Sequence, residues 1–243
     1  MPADQPTILA TSGGYRPAQR SRFEFAGLVH HAVELSGVTG RAPRVTVLGT
    51  ASGDPRSMAA ELSEAGRVAG FELSHLHLFP MPNVEDVEGH LLDQDVVWVN
   101  GGSVANLLAV WRVHGLDALF PHVWEAGVVL AGVSAGAICW FRESVTDSFG
   151  GLARLDDGLG FLDGSMCPHY DGEAQRRPTY HTLVAGGMTA GYAADDGCAL
   201  HFVDGALREA VSSRPQAHGY RVKRAPDSAV VETPLPTRFL GAR

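Results

Sequence analysis

The chain has 243 residues, 45% of them hydrophobic, which is enough to bury the core of one α/β domain. Its formal net charge of −8 argues against a nucleic-acid partner and against binding to an anionic membrane surface. No apolar run is long enough to span a membrane, and the N-terminus lacks the pattern of a signal peptide. The three widely spaced cysteines form neither a disulfide framework nor a zinc pair, so we expect a cytoplasmic protein.

The first half of the chain alternates short apolar runs with segments of helical spacing. The apolar runs predict strands at residues 6–10, 44–49, 71–79, 95–100 and 128–131. The helical spacing predicts helices at residues 23–35, 57–69, 104–113 and 116–126. Strands that alternate with helices indicate an α/β fold, a mostly parallel sheet with helices on both of its faces.

After Phe149 the pattern changes to shorter strands, with one helix predicted between residues 175 and 185. These strands are predicted at residues 165–170, 191–194, 198–203, 206–212 and 220–222. Residues 225–243 show little periodicity, and we expect them to form a C-terminal tail packed on the surface. No linker or repeat divides the chain, so residues 1–243 are expected to form a single domain.

The stretch from Gly127 to Phe141 carries the clearest functional pattern. An apolar run, predicted as a buried strand, leads into Gly132-Val133-Ser134-Ala135-Gly136 and then into an apolar segment that resembles the start of a buried helix. Strand, G-x-S-x-G and helix together are typical of a nucleophile elbow. Ser134 would then be exposed above the sheet, and the N–H of Ala135 would point at an oxyanion. A tight turn whose serine only caps a helix is the alternative.

A serine nucleophile needs a general base, and the chain offers eleven histidines. His169 differs from the others because it ends a predicted strand, in Cys167-Pro168-His169-Tyr170. The carboxyl ends of parallel strands meet at one edge of a sheet, where ligands bind. Glycine turns at residues 13–14 and 101–102 follow predicted strands in the same way, so a common site is expected there.

Three segments together resemble a known family: the elbow VSAGAICWF, the NGG turn before ANLLAVW, and CPHYDGE. They are similar to peptidase E, the aspartyl dipeptidase family of serine peptidases, which includes cyanophycinase. The resemblance extends from ATSGG to SSRP, nearly the whole chain. It implies a flavodoxin-like fold, as in class I glutamine amidotransferases, and peptide hydrolysis that needs no metal or cofactor.

The resemblance also implies roles for individual residues. Ser134 matches the family's nucleophile and His169 its base. The acid of the family lies shortly after the elbow helix, where Asp147 is the first candidate and Glu143 the reserve. The backbone N–H of Gly102 would complete the oxyanion hole beside that of Ala135.

Founding members of the family read an N-terminal aspartate with a basic residue after the histidine. Arg176 and Arg177 lie in the corresponding stretch here, and Ser103 replaces an asparagine of the family's glycine turn. These three residues are therefore the candidate substrate contacts. The expected substrate is a short peptide, with Asp-X dipeptides as one option.

Two other functions remain open at this point. The same nucleophile would serve hydrolysis of cyanophycin-like β-linked Asp-Arg material or of isoaspartyl peptides. A non-catalytic binding domain of the same fold is the second alternative, because fold alone does not determine function. Beyond a peptide, we expect no nucleic-acid or membrane partner, and a homodimer is an open prediction.

Overall fold

The computed structural model describes residues 3–19 and 21–241. The domain predicted for residues 1–243 and the tail predicted for residues 225–243 therefore extend slightly beyond the described residues. Its strands are β1 (Thr7–Thr11), β2 (Tyr15–Pro17), β3 (Phe23–Phe25), β4 (Arg44–Leu48), β5 (Glu72–Leu76), β6 (Val96–Val99), β7 (Val129–Val133), β8 (Phe141–Thr146), β9 (Ala153–Leu155), β10 (Leu162–Cys167), β11 (Gly191–Ala194), β12 (Cys198–Val203), β13 (Ala206–Ser212), β14 (Gly219–Arg224), β15 (Val230–Pro234) and β16 (Thr237–Phe239). Its α-helices are α1 (Gly27–Leu35), α2 (Arg56–Ala69), α3 (Val87–Leu92), α4 (Val104–His114), α5 (Leu116–Glu125), α6 (Ala135–Ile138) and α7 (Arg176–Ala185).

An eight-stranded sheet forms the centre of the molecule, in the order β16-β13-β12-β1-β7-β6-β4-β5. Strands β1, β7, β6, β4 and β5 are parallel to one another, whereas β12 pairs antiparallel with both β1 and β13. The central strands β6 and β7 are apolar on both faces because each face meets a layer of helices. The predicted α/β fold with a mostly parallel sheet is confirmed.

Helices cover both faces of this sheet, and each face has its own core. In β6, Val97 and Val99 face the core formed with α3, α4, α5 and α6. The alternate residues Val96 and Trp98 face the core formed with α1 and α2. The alternation of side chains along a strand explains why a nearly continuous apolar run serves two separate cores.

The shorter strands of the second half form a further sheet, in the order β15-β14-β11-β10-β8-β9. Helix α7 packs on it through Tyr180 and Val184, which lie in a core with Cys167 and Val222. The local patterns predicted three of these six strands, β10, β11 and β14, and missed β8, β9 and β15. They did not predict a separate sheet, since the choice of pairing partner depends on contacts between distant residues.

Two predicted helices are shorter than the sequence indicated. The elbow helix α6 ends at Ile138, and the chain continues from Phe141 as β8 rather than as a buried helix. A run that is apolar on every side fits a buried helix and a buried strand equally well. The predicted helix at residues 23–35 begins only at Gly27, because Phe23–Phe25 pairs with Tyr15–Pro17 as β3 with β2.

The C-terminal segment adds an edge strand to each large sheet, where the sequence predicted an irregular tail. Strand β15 pairs antiparallel with β14, and β16 pairs parallel with β13. Within the described residues, none of the helices is long and apolar enough to span a lipid bilayer.

Candidate active site

Ser134 occupies a strained turn between β7 and α6, with φ 57° and ψ −114°. Residues other than glycine rarely adopt these backbone angles, and such backbone strain is found mostly at functional positions. Backbone hydrogen bonds hold the turn: the Ser134 N–H donates to the Thr11 carbonyl at 3.1 Å, and the Ser134 carbonyl accepts from the Ile138 N–H at 3.0 Å. This is the geometry of a nucleophile elbow.

Glycines allow the elbow to pack directly on the neighbouring strand β6. A Cβ at Gly136 would lie 2.1 Å from the Val99 carbonyl oxygen, and one at Gly132 would lie 2.6 Å from the same atom. Both distances are far below van der Waals contact. The glycines of G-x-S-x-G are therefore required by the packing of the backbone itself.

The turn after β6 lies against the elbow. A Cβ at Gly101 would be 3.2 Å from the Ser134 Cβ, and Gly102 adopts φ +141°. Across residues 3–19 and 21–241, no acceptor bonds the backbone N–H of Gly102 or that of Ala135. Both donors are thus available to a ligand beside Ser134, as an oxyanion hole requires. Ser103, next in the chain, accepts a hydrogen bond from the Asn106 N–H at 3.2 Å and so caps α4.

His169 follows β10 and carries the contact that defines the site chemically. Its Nδ1 lies 2.6 Å from Oδ1 of Asp196, a residue that follows β11. Its own backbone is in the left-handed region, with φ 55°, and its N–H donates to Ser12 Oγ at 3.3 Å. With Nδ1 bonded to a carboxylate, the other ring nitrogen is left to exchange a proton with a nucleophile.

Asp196 is held in position by its neighbours. Its backbone N–H donates to Asp171 Oδ1 at 2.7 Å, and Asp171 in turn pairs with Arg214. A Cβ at Gly172 would lie 2.1 Å from Asp196 Oδ2, so only glycine leaves room for this carboxylate. The hydrogen bond from His169 lowers the pKa of Asp196 below its ordinary value, although burial opposes that shift.

Neither acid expected from the family resemblance contacts His169. Asp147 has a side chain that is 63% exposed, and it lies 3.7 Å from Arg176. Glu143 is buried and accepts hydrogen bonds from Arg154 at 2.7 Å and from the Thr189 N–H at 2.8 Å, so it ties β8 to the turn before β11. Among the described residues, the carboxylate in contact with His169 is that of Asp196, whereas Asp147 and the reserve candidate Glu143 have other partners.

An open cavity of about 390 Å³ brings most of the predicted site residues together. Its lining residues are Gly102, Ser103, Ser134, Asp147, Ser148, His169, Glu173 and Arg176. The Arg176 side chain is almost fully buried, and its guanidinium bonds Glu173 at 2.8 Å. One guanidinium and two carboxylates thus share the cavity with the serine and the histidine.

Of the three predicted substrate contacts, Arg177 is the one that does not line this cavity. Its guanidinium stacks over the rings of Tyr170 and Tyr220, at 4.5 and 5.0 Å from their centroids. It also lies 3.4 Å from Glu232 of β15. These contacts account for Arg177 as part of the packing between α7 and the second sheet.

The sequence contains a signal for Asp196 that the family resemblance obscured. Asp195-Asp196-Gly197 follows the predicted strand at residues 191–194, just as His169 follows its own strand. Strands β10 and β11 are parallel neighbours, so residues at their carboxyl ends lie at the same edge of the sheet. A search for carboxylates at strand ends would have found Asp196, whereas a search close to the elbow led to Asp147.

A group of side chains with spacing suited to a metal ion lies elsewhere in the described part of the chain. The cluster with suitable spacing is His31, His201 and Glu209, which lies on α1, β12 and β13 and includes no residue of the serine cavity. The serine cavity offers a hydroxyl, an imidazole held by a carboxylate, and two backbone N–H donors.

Comparison with known proteins identifies the class of hydrolase. The model of peptidase family S51 matches residues 10–210, most of the chain. A protein of Bacillus subtilis (strain 168) described as "Uncharacterized peptidase YgaJ" is 48% identical over 200 residues, which cover 82% of this chain and 86% of that protein. The fold and site thus belong to a peptidase, and the chain is a member of peptidase family S51.

Solved structures agree with this at the level of the fold. A crystal structure of a peptidase from an acI-B1 Actinobacterium matches with a TM-score of 0.67 at 15% identity, and covers 96% of this chain and 95% of that one. A Listeria monocytogenes EGD-e structure described as a "Putative Peptidase E Protein" matches with a TM-score of 0.54 at 18% identity, and covers 96% and 100%. The expected resemblance to peptidase E is confirmed.

Proposed function

We propose that the protein is a serine peptidase whose triad consists of Ser134, His169 and Asp196. The observation that carries this proposal is the 2.6 Å contact between His169 Nδ1 and Asp196, made by a histidine that shares one cavity with a strained elbow serine. A nucleophile, a base and an orienting acid are the parts that serine acyl transfer needs.

In the proposed reaction, Ser134 Oγ attacks the peptide carbonyl while His169 Nε2 takes the hydroxyl proton. The backbone N–H groups of Gly102 and Ala135 stabilise the oxyanion that forms. The protonated imidazole then gives its proton to the leaving amine, which leaves an acyl ester on Ser134. Water activated by the same imidazole hydrolyses this ester, and the serine is restored.

The charges in the cavity support short peptides with a free N-terminus as substrates. Asp147 and Glu173 can bind an α-ammonium group, and Arg176 between them can bind an acidic side chain. Ser103 lines the same wall, where its hydroxyl caps α4. This combination favours Asp-X dipeptides, with Arg176 rather than Arg177 as the residue that reads the aspartate.

A panel of X-Ala and X-Leu dipeptides, scored for release of the first amino acid, tests the proposal. We expect the wild-type protein to cleave members of the panel, with Asp-X among the best, and Ser134→Ala to cleave none. A folded wild-type sample that turns over no peptide would contradict the proposal and favour the non-catalytic binding domain.

Hydrolysis of β-linked Asp-Arg material is a second candidate, supported by the same carboxylates. Asp147 and Glu173 could bind the arginine side chain of such a polymer instead of an N-terminal amine. Release of Asp-Arg dipeptide from cyanophycin, at a rate above that of any α-linked dipeptide, would favour this candidate.

The setting of the reaction is also part of the proposal. All three cysteines are buried and unpaired, which fits a reducing compartment such as the cytoplasm. The net charge of −8 disfavours a nucleic-acid partner. A homodimer stays a prediction, which sedimentation velocity would test.

A further inference from the structure

A buried pair of histidines lies between helix α1 and the main sheet, away from the carboxyl ends of the parallel strands. His31 is on α1 and His201 is in the middle of β12, where it pairs with Leu9 of β1. Their rings are perpendicular, with centroids 6.3 Å apart. The side chains are only 7% and 9% exposed, so both imidazoles have lost nearly all contact with water.

Three nitrogen atoms of this pair have no hydrogen-bond partner in the part of the chain that the structure describes. They are His31 Nε2 and both ring nitrogens of His201. Buried polar atoms are normally paired, so several unpaired atoms in one place call for an explanation. A bound ion that accepts electron pairs would engage His31 Nε2 and one ring nitrogen of His201.

Glu209 supplies a carboxylate to the same place. It pairs with His201 across the β12–β13 ladder, next to an irregularity in register between His201 and Phe202. Its Oε1 lies 3.8 Å from His201 Nδ1 and 4.0 Å from His31 Nε2, too far for hydrogen bonds. The three ligand atoms all lie within 4.8 Å of one another.

The other contacts orient the donor atoms toward this common point. His31 Nδ1 lies 3.3 Å from Glu34 Oε2, so a proton on Nδ1 leaves Nε2 free to ligate. Carboxylates commonly hold the outer nitrogen of metal-binding histidines in this way. Arg238 binds Glu209 through two hydrogen bonds, of 3.0 Å to Oε2 and 2.8 Å to Oε1, and could keep the first when Oε1 turns to a metal.

We propose that His31 Nε2, His201 Nδ1 and Glu209 Oε1 form a site for one divalent transition-metal ion of the zinc type. Two imidazoles and a carboxylate are a common zinc donor set, and bond lengths of about 2.0–2.2 Å put tetrahedral ligand atoms about 3.4 Å apart. The two distances from Glu209 Oε1, 3.8 and 4.0 Å, need to shrink by about 0.4 and 0.6 Å, and the distance between the two nitrogen atoms, which is within 4.8 Å, by no more than about 1.4 Å. Side-chain rotation can supply changes of this size. The ion would link helix α1 to the β12–β13 hairpin through its ligands, and it would take no part in peptide hydrolysis.

Equilibrium dialysis of the chelator-treated full-length protein against Zn²⁺ tests this site. We expect the wild-type protein to bind one equivalent, with an affinity that falls at least tenfold in Glu209→Gln and in His201→Gln. His122→Gln is the matched control, because His122 and Glu88 form a similar pair on the surface at 3.4 Å. His169→Ala tests whether the zinc ion binds in the serine cavity instead. Both control variants, His122→Gln and His169→Ala, should bind zinc like the wild type.

Thermal unfolding gives a second measurement, since Glu209 is partly exposed and its replacement by glutamine should leave the protein folded. Saturating Zn²⁺ should raise the Tm of the wild type, because a ligand that binds only the folded state stabilises it. The Tm of Glu209→Gln should rise much less. Binding of no zinc, or equal binding by wild type, Glu209→Gln and His201→Gln, would overturn the proposal, as would its loss in His169→Ala.

Discussion

At the scale of single residues, Asp196 and Asp147 have different surroundings and should have separable roles. Asp196→Asn removes the anionic acceptor that fixes His169, and in serine triads such a change lowers kcat about 10⁴-fold. Asp147→Asn leaves the His169 contact intact, so it should raise KM with a small effect on kcat. Steady-state kinetics of both variants on one dipeptide checks this prediction. A severe loss of kcat in Asp147→Asn with a mild effect of Asp196→Asn would show that the acid is Asp147.

The lowered pKa of Asp196 predicts how its contribution to stability depends on pH. Because this pKa is lower in the folded protein, the ionised group stabilises the fold above its unfolded pKa of about 3.9. That contribution disappears as the pH falls through the lower folded value. The free energy of unfolding of the wild type should therefore exceed that of Asp196→Asn at pH 6, by a small amount because the side chain is 40% exposed. The difference should shrink between about pH 4 and pH 2. Urea unfolding at several pH values measures it, and a difference that grows on acidification would contradict the assignment.

The sequence predicted the turn at Ser134 and the position of His169 after a strand, because both depend on local chemistry. The strained turn at Ser134 is encoded by its flanking glycines, and His169 by its position after a strand. Asp196 belongs to a different strand from His169, and the contact depends on the pairing of β10 with β11. The family resemblance favoured a carboxylate close to the elbow in sequence, whereas the carboxylate that contacts His169 is close to it in space.

At the scale of elements, the elbow should tolerate no side chain where it meets β6. Gly136→Ala would place a Cβ 2.1 Å from the Val99 carbonyl, so the backbone of α6 would have to move. We expect a destabilisation of about 1–3 kcal/mol or more, together with loss of activity as Ser134 is displaced. Chemical unfolding and dipeptide hydrolysis measure the two effects.

Gly151→Ala is the matched control for this prediction. Gly151 has no atom within 4 Å of the Cβ position and does not need a positive φ. Its replacement should change the free energy of unfolding by no more than about 0.5 kcal/mol. Equal effects of the two substitutions would mean that the elbow is less tightly packed than the structure indicates.

The strands and helices of the first half were predictable because short apolar runs typical of strands alternate there with segments whose apolar residues repeat with the helical period of 3.6. The helix predicted for the Cys139-Trp140-Phe141 segment was wrong. All three residues are apolar and buried, and burial on every side removes the periodicity that distinguishes a helix from a strand. The edge strands β15 and β16 were missed because β16 has only three residues and the segment that holds both shows little periodicity, with prolines at positions 226, 234 and 236. These two strands form because β13 and β14 offer unpaired backbone groups at the edge of each sheet.

At the scale of the whole molecule, these edge strands should matter for stability. Removing residues 230–243 would uncover an edge of each large sheet and take away Glu232, which accepts a hydrogen bond from Tyr170 at 2.5 Å. We expect the Tm to fall by at least about 5 °C, given about 2–4 °C per kcal/mol for a chain of this size. Removing only residues 241–243 is the control and should change little. An unchanged Tm after the longer truncation would mean that the segment does not contribute to the fold.

The architecture as a whole brings Ser134, on the elbow of the main sheet, and His169, which follows a strand of the second sheet and is held by Asp196, to one cavity. The account therefore depends on Ser134 being a reactive nucleophile in the folded protein. Labelling with a fluorophosphonate probe, read by intact mass and peptide mapping, tests this most directly. We predict a single adduct on Ser134 in the wild type and in Asp147→Asn, slow labelling of His169→Ala, and none of Ser134→Ala. Labelling that persists in Ser134→Ala, or a folded wild-type protein that does not react, would contradict the proposed mechanism.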